Sequence, residues 1–165
     1  MPTVVLFGLP GAGKTFIGKI LSSDYGYHLY DGDVELSGEM KELIKKKISF
    51  TDKLRDNFFE RIIKNISKLK VKHKKLVVSQ TFIKEKYRKK VLEKFPETTF
   101  ILIDTATRIR EARLLKRKEA PLDIEYVRKM VVNFEKPSID HHTIHNNKEG
   151  PNHTKQELNR ILFIF

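Results

Sequence analysis

Apolar runs and helical stripes alternate along the whole chain. Short runs rich in apolar residues occupy 3–7, 27–30, 76–79, 99–103 and 142–145, and each has the length of a strand. Between them, apolar residues recur every three or four positions, which is typical of amphipathic helices. Strands that alternate with helices predict a single α/β domain over residues 1–165, built on a parallel sheet.

The clearest helical pattern follows Thr51 and Asp52, which have the composition of a helix start. Its apolar stripe consists of Leu54, Phe58, Ile62, Ile66 and Leu69. Shorter patterns predict helices at about 36–44, 84–95, 107–117, 123–134 and 154–163, and Pro96 ends the second of these. In the helix at 107–117 we expect Ile109, Leu114 and Leu115 to be its apolar positions.

A glycine-rich segment joins the first strand to the first helix. Residues 8–15 match the phosphate-binding loop pattern at every fixed position, and backbone N–H groups in such a loop surround a phosphate. We expect Lys14, exposed in the empty crevice, to reach the β- and γ-phosphates, and the Thr15 hydroxyl to bind Mg²⁺. The residues expected to contact the nucleotide are Gly8, Pro10, Gly11, Ala12, Gly13, Lys14, Thr15, Phe16 and, from a later helix, Arg113.

Two carboxylates follow the second strand. Ligands of parallel sheets bind beyond the carboxyl ends of the strands, so Asp31, Asp33 and Thr81 should face one crevice with the loop. We assign Asp33 to the acceptor hydroxyl, as its orienter and base, and Asp31 to Mg²⁺ through water. The alternative is an Asp-Gly turn in which one carboxylate caps the next helix. Asp104, at the end of the fourth strand, is the second choice for the metal.

Arg113 and Arg117 are four residues apart and should share one helix face. They precede a segment that we interpret as a short lid near 116–123, from which both could reach the phosphates and stabilise the transition state. The alternative for this pair is a solvated basic helix end. Arg55, Lys84 and Arg88 are further candidates for binding an anionic substrate, together with Thr81.

The net charge of +12 comes from 33 basic and 21 acidic side chains, and it is concentrated between Lys41 and Lys90. That segment holds 18 basic and 5 acidic residues, a surplus of 13. Because these lysines alternate with apolar helix positions, we interpret them as solvated faces and do not expect nucleic acid as a partner. The chain has no cysteine and no apolar run long enough for a membrane, which favours a cytoplasmic protein.

A series of motifs resembles the small phosphate-loop carbohydrate kinases, most closely gluconokinase, with shikimate kinase as a near relative. The motifs cover most of residues 3–137 in the order of the family. They are the loop at 8–15, Asp-Gly-Asp at 31–33, Thr-Asp-x-x-Arg at 51–55, a Lys-x-x-Tyr-Arg segment at 81–88, and Arg-Leu-x-x-Arg at 113–117.

The resemblance implies ATP and Mg²⁺ as cofactors and a three-layer α/β/α phosphate-loop NTPase fold with a five-stranded sheet in the order 2-3-1-4-5. It also implies transfer of the γ-phosphate to a hydroxyl of a gluconate-like sugar acid, and a homodimer as a frequent form. Residues 119–121 and 34–36 depart from the family pattern. Shikimate kinase, nucleoside monophosphate kinase, nucleic-acid 5′-hydroxyl kinase and a non-catalytic nucleotide-binding regulator therefore stay open as alternatives.

Overall fold

The computed structural model describes residues 2–118 and 122–163. Within them, five parallel strands form one sheet in the order β2-β3-β1-β4-β5. The strands are β1 (Thr3–Phe7), β2 (His28–Asp31), β3 (Leu76–Ser79), β4 (Thr99–Asp104) and β5 (His142–His145). The predicted fold class and the strand order implied by the resemblance are confirmed.

Seven α-helices connect and follow these strands in the described residues, and most lie within one or two residues of the predicted segments. They are α1 (Lys14–Tyr25), α2 (Gly38–Lys45), α3 (Asp52–Lys72), α4 (Glu85–Lys94), α5 (Thr107–Lys116), α6 (Ile124–Asn133) and α7 (Asn152–Leu162). A 3₁₀ turn, Gly32–Glu35, separates β2 from α2. None of the described helices is long and apolar enough to span a membrane.

The start of α3 shows how local sequence sets an element. The Thr51 hydroxyl oxygen accepts a hydrogen bond from the backbone N–H of Leu54 at 3.2 Å, which satisfies one of the free donors of the first turn. Phe58, Ile62 and Ile66 are then buried, one helical turn apart. The stripe predicted from the sequence therefore orients this 21-residue helix on the sheet.

The sheet is covered on both faces. Alternate residues of β1 point to opposite sides, so that Val4 and Leu6 belong to one apolar cluster, while Val5 and Phe7 belong to the other. The first cluster includes the buried residues of α1 and α7, and the second includes those of α3 and α4. This gives three layers, with the sheet in the middle.

One apolar position of α5 was assigned wrongly. Leu114 is buried, but the side chain of Leu115 is exposed. Successive residues of a helix are about 100° apart, so these two neighbours do not share the narrow buried face. The helix also ends at Lys116, one residue before the predicted end, and Arg117 is its C-terminal cap residue.

Candidate active site

The phosphate-binding loop leaves β1 and enters α1 at Lys14. Gly13, which precedes the helix, has a φ of 106°, a left-handed conformation that a side chain would strain. A Cβ at this position would also lie 2.1 Å from Nδ2 of Asn146. Asn146 follows β5, is buried, and donates a 2.9 Å hydrogen bond from Nδ2 to the Ala12 carbonyl. The third glycine of the motif is therefore needed for the backbone turn and for this contact.

Arg113 supports the same loop from α5. Its Nη1 donates to the carbonyl oxygens of Gly11 at 3.2 Å and Ala12 at 3.1 Å, and its Nη2 donates to the Asn146 carbonyl at 2.9 Å. The Thr105 hydroxyl donates to the Ala12 carbonyl as well, at 2.8 Å. Side-chain donors thus hold the loop carbonyls in place, and Arg113 is one of them.

Lys14 is half-buried, whereas an exposed side chain was expected. Its ammonium donates to the carbonyl oxygens of Gly8 at 2.8 Å and Leu9 at 3.1 Å, because the side chain folds back over its own loop. Burial lowers the pKa of Lys14 to about 8; the charge of Asp33 opposes this shift, and that of Arg117 adds to it. The three charged groups therefore act on one another within one crevice.

The two carboxylates after β2 have different surroundings. Asp31 Oδ1 accepts a hydrogen bond from the backbone N–H of Asp33 at 2.9 Å and caps the 3₁₀ turn, as the alternative interpretation of this segment anticipated. Burial raises the pKa of Asp31, and the nearby Asp33 charge raises it further, while that hydrogen bond and the Lys14 charge act in the opposite direction. Asp33 is exposed in the crevice and does not cap the turn.

Gln80 orients Asp33 across two strands. Its Nε2 donates to Asp33 Oδ1 at 3.0 Å, and its Oε1 accepts from the backbone N–H of Thr81 at 2.8 Å. The second contact fixes which end of the amide faces the carboxylate, because only the nitrogen can donate. Oδ1 is thereby engaged, and Oδ2 is the oxygen left for another partner.

These groups line a crevice of about 320 Å³ beyond the carboxyl ends of the strands. It brings together thirteen of the residues selected from the sequence, namely Pro10, Gly11, Gly13, Lys14, Thr15, Phe16, Asp31, Asp33, Arg55, Thr81, Lys84, Arg113 and Arg117. Of the selected nucleotide-binding residues, Gly8 and Ala12 lie behind this surface as backbone of the loop.

The end of the crevice away from the loop has apolar walls. Its lining comes from α2, α3, α6 and the segments before α3 and α4, and includes Ile44, Phe50, Phe58, Phe82, Tyr126 and Met130. Two cations, Arg55 and Lys84, are set into this wall. Arg55 forms a 3.6 Å ion pair with the exposed Asp52, and Lys84 forms no ion pair with another described residue.

Arg117 differs from Arg113 although both line the crevice. Its side chain is exposed and makes no hydrogen bond or ion pair within residues 2–118 and 122–163. Arg113 is instead bonded to the loop. The predicted lid continues from this point, but its central residues 119–121 lie outside the described part of the chain.

Arg88 does not belong to the substrate-binding set. Its side chain is fully buried, with Nε donating to the Phe82 carbonyl at 2.8 Å and Nη2 to the Ile83 carbonyl at 3.2 Å. Nη1 pairs with Glu85 at 3.1 Å, and the guanidinium lies over the ring of Phe7, 5.0 Å from its centroid. Each of the three guanidinium nitrogens donates to a group inside the protein, so Arg88 anchors the segment that leads into α4.

Asp104, the alternative metal residue, also lies outside the crevice lining. Its carboxylate is 3.2 Å from Nδ1 of His145 at the neighbouring strand end. No cluster of three His, Asp or Glu side chains that could hold a metal exists among the residues described. Thr15 and Asp31 line the crevice, and such a small ligand set fits Mg²⁺, which keeps several of its water molecules.

Three site residues were missed in the sequence. Gln80 orients Asp33, Asn146 supports the loop, and Tyr126 lines the apolar end. Gln80 carries a detectable signal, since it directly follows β3 and precedes Thr81, which was selected from the sequence. Asn146 bonds to a residue 134 positions away, and Tyr126 lies in the same wall as the sequence-distant Arg55, so no local pattern identifies either of them.

A comparison with protein-family models matches residues 7–128 to the AAA domain. A comparison with curated protein sequences gave no match. Among solved structures, an unliganded sugar kinase from Janibacter sp. HTCC2649 is similar, with a TM-score of 0.85 and 19% identity over 99% of this chain and 95% of that one.

Two further structures show the same fold. A gluconokinase from Sinorhizobium meliloti 1021 has a TM-score of 0.80 at 18% identity, over 99% of this chain and 96% of that chain. A shikimate kinase from Acinetobacter baumannii in complex with shikimate has a TM-score of 0.66 at 17% identity, over 99% and 94%.

Proposed function

The chain belongs to the AAA domain family, and we propose that it is an ATP-dependent kinase that transfers the γ-phosphate to a hydroxyl of a small anionic acceptor. One observation carries this proposal. The phosphate-binding loop, Asp33 and Arg117 line one crevice, and the wall of the same crevice contains two cations. Phosphoryl transfer needs such an arrangement, because catalysis rests on positioning and on balancing the charge of the phosphates.

Each side chain has a role that follows from its surroundings. Lys14 leaves its two loop carbonyls and pairs with phosphate oxygens, and Arg117, which has no partner among the described residues, balances charge on the transferred group. Asp33 accepts the proton of the acceptor hydroxyl at Oδ2, since Oδ1 is held by Gln80. Thr15 and Asp31 would hold Mg²⁺, which would neutralise part of the phosphate charge.

The acceptor class rests on the sequence resemblance and on the similar structures. The sequence resemblance implies a gluconate-like sugar acid, and the sugar kinase and gluconokinase among the similar structures support that choice. The same fold also occurs in a shikimate kinase and in a deoxyadenosine kinase from M. mycoides. We infer that the acceptor is anionic because Arg55 and Lys84 are in the wall. We also propose a single kinase domain over residues 1–165 and a lid near 116–123.

The test is a screen for ADP release from ATP and Mg²⁺ over gluconate, other sugar acids, shikimate and nucleoside monophosphates. We expect release that depends on one acceptor class and that is lost in Lys14→Ala. ATP binding without transfer to any acceptor would favour the nucleotide-binding regulator. Transfer to single-stranded nucleic acid, with a steep dependence on salt, would favour the nucleic-acid 5′-hydroxyl kinase.

A further inference from the structure

The acceptor end of the crevice offers very few hydrogen-bonding groups. Its walls include the aromatic rings of Phe50, Phe58 and Phe82 and the aliphatic side chain of Ile44. Tyr87 also lines this end, but its hydroxyl already donates to Asp56 at 2.7 Å. A ligand that enters here meets mostly carbon.

Apart from the cations Arg55 and Lys84, Tyr126 is the residue of this wall that offers a polar group to a ligand. The residue is only 5% exposed, and its hydroxyl makes no hydrogen bond with any residue in 2–118 or 122–163. Among the described residues, Ser67 Oγ is the only side-chain polar atom that is both buried and without a partner, so the Tyr126 hydroxyl keeps access to the crevice that it lines and can donate to a ligand there. The crevice is the side from which a partner can arrive.

Arg55 lies close enough to act on the same hydroxyl. Burial raises the pKa of Tyr126, and the positive charge of Arg55 opposes that shift. The Arg55 side chain is 14% exposed, and its only ion pair within the described residues is with Asp52, whose side chain is 81% exposed. A phenol donor and a guanidinium in one apolar wall form a binding site for a single anionic group.

The rest of the wall distinguishes between anions by the part of the molecule that is attached to the anionic group. A polyhydroxylated chain would bring several hydroxyls against Phe50, Phe58 and Met130, which offer no strong acceptor. Each buried hydroxyl left without a partner weakens binding by about tenfold. An apolar ring has no hydrogen bonds to water to lose there, and it makes favourable contacts with the aromatic side chains.

Resting on the kinase function above, we propose that this site selects an anionic alcohol with an apolar ring, and that the Tyr126 hydroxyl, beside Arg55, binds its anionic group. This replaces the gluconate-like acceptor that the sequence resemblance implies, because a polyhydroxylated sugar acid is a poor ligand for such a wall. Tyr126 is a specificity-determining residue of the site, and Met130 is part of the wall that excludes polyols.

Two 2-hydroxy acids test this selection. Mandelate and gluconate both carry one carboxylate and an adjacent hydroxyl, but mandelate has a phenyl ring where gluconate has a polyol chain. Isothermal titration of the ADP-loaded protein with each acid gives both dissociation constants. We expect mandelate to bind at least about tenfold more tightly than gluconate.

Variants connect this preference to the wall. Tyr126→Phe should weaken mandelate binding about tenfold without lowering the melting temperature, because the hydroxyl has no partner among the described residues. Tyr25→Phe is the matched control, since that hydroxyl bonds to Asn159 at the far end of α1. Met130→Gln, of similar shape, should shift the preference toward gluconate.

Gluconate binding as tightly as mandelate would overturn the proposal, as would unchanged mandelate affinity in Tyr126→Phe or no saturable mandelate binding at millimolar concentration. These outcomes are separate from failure of the kinase function. That failure would appear in the ADP titration or the ADP-release screen, whereas the mandelate-to-gluconate ratio is read from binding alone.

Discussion

Gln80 Nε2 donates a 3.0 Å hydrogen bond to Oδ1 of Asp33, and this contact joins the ends of two adjacent strands. Because the Gln80 Oε1 accepts from the backbone of the next residue, the amide has one orientation. The proposed base therefore has one oxygen engaged and one facing the crevice. Its position is set by a residue that has no chemical role of its own.

Gln80→Leu should release Asp33 from this position. We expect kcat to fall about tenfold or more, since hydrogen bonds to charged groups contribute about 1.5–3 kcal/mol, while the KM for ATP stays unchanged. Gln156→Leu, at an exposed position of α7, is the control. A fall in ATP affinity equal to the fall in kcat would show that Gln80 supports the loop instead of the base.

The affinity for ADP should depend on pH through Lys14. The pKa of this lysine is lowered to about 8 in the empty site, and a bound phosphate favours its charged form. ADP affinity should therefore be complete below pH 8 and fall above it, by up to about tenfold per pH unit. Titration calorimetry from about pH 7 to about pH 9 measures this change.

Lys14→Ala provides the comparison for that titration. Its affinity should be low at every pH in the window, and transfer should fall by about 10²–10³-fold or more, with an unchanged melting temperature. Lys19→Ala, exposed on the same helix, should behave as the wild type. The same slope above pH 8 in Lys14→Ala would assign the titration to another group.

Substitution of Arg113 in α5 and of Arg117 at its C-terminal cap should have different effects. Arg117→Ala should lower kcat and weaken a non-hydrolysable ATP analogue relative to ADP, because its guanidinium lines the crevice and has no partner among the residues that the structure describes. Arg113→Ala should weaken both nucleotides and lower the melting temperature, since three loop contacts are lost. Arg108→Ala, exposed on α5, is the control. If Arg117→Ala changed nothing, the residue would be a solvated helix end.

Arg88→Met should lower the free energy of unfolding. It should have no direct effect on acceptor binding. Removal of one partner from a buried ion pair costs about 3–5 kcal/mol, and we expect the lower end because Glu85 also accepts from the backbone N–H of Ile139. Urea unfolding measures the difference, with the exposed Lys89→Met as the control. A loss below about 1 kcal/mol would contradict the structural role of Arg88.

The sequence predicted those features of the fold and site that depend on a local pattern of residues. The loop at 8–15, the cap at Thr51 and the stripe of α3 are encoded within one or two helical turns, and the structure has them in the predicted places. Arg113 and Arg117 look alike in sequence, four residues apart. Their difference depends on Asn146 and on the end of α5, which no pattern around residue 113 contains.

Arg88 was selected as a substrate contact for a similar reason, because its burial cannot be read from the local sequence. A Tyr-Arg pair beside a crevice has the composition of a substrate contact, yet the rings of Phe7 and Phe134 and two backbone carbonyls bury this arginine. Tyr126 was overlooked for the opposite reason. It lies in an ordinary amphipathic helix, and only its position beside Arg55 in the crevice wall gives its hydroxyl a role.

The most direct test of the account is acceptor-dependent phosphoryl transfer by Asp33→Asn, which keeps the size of the side chain and removes its charge. The steady-state rate is measured beside calorimetric binding of a non-hydrolysable ATP analogue with Mg²⁺. We predict a fall in kcat of about 10²-fold or more with nucleotide affinity nearly unchanged. Loss of Mg²⁺-dependent nucleotide binding, or a rate equal to that of the wild type, would contradict the assignment of Asp33 as the base.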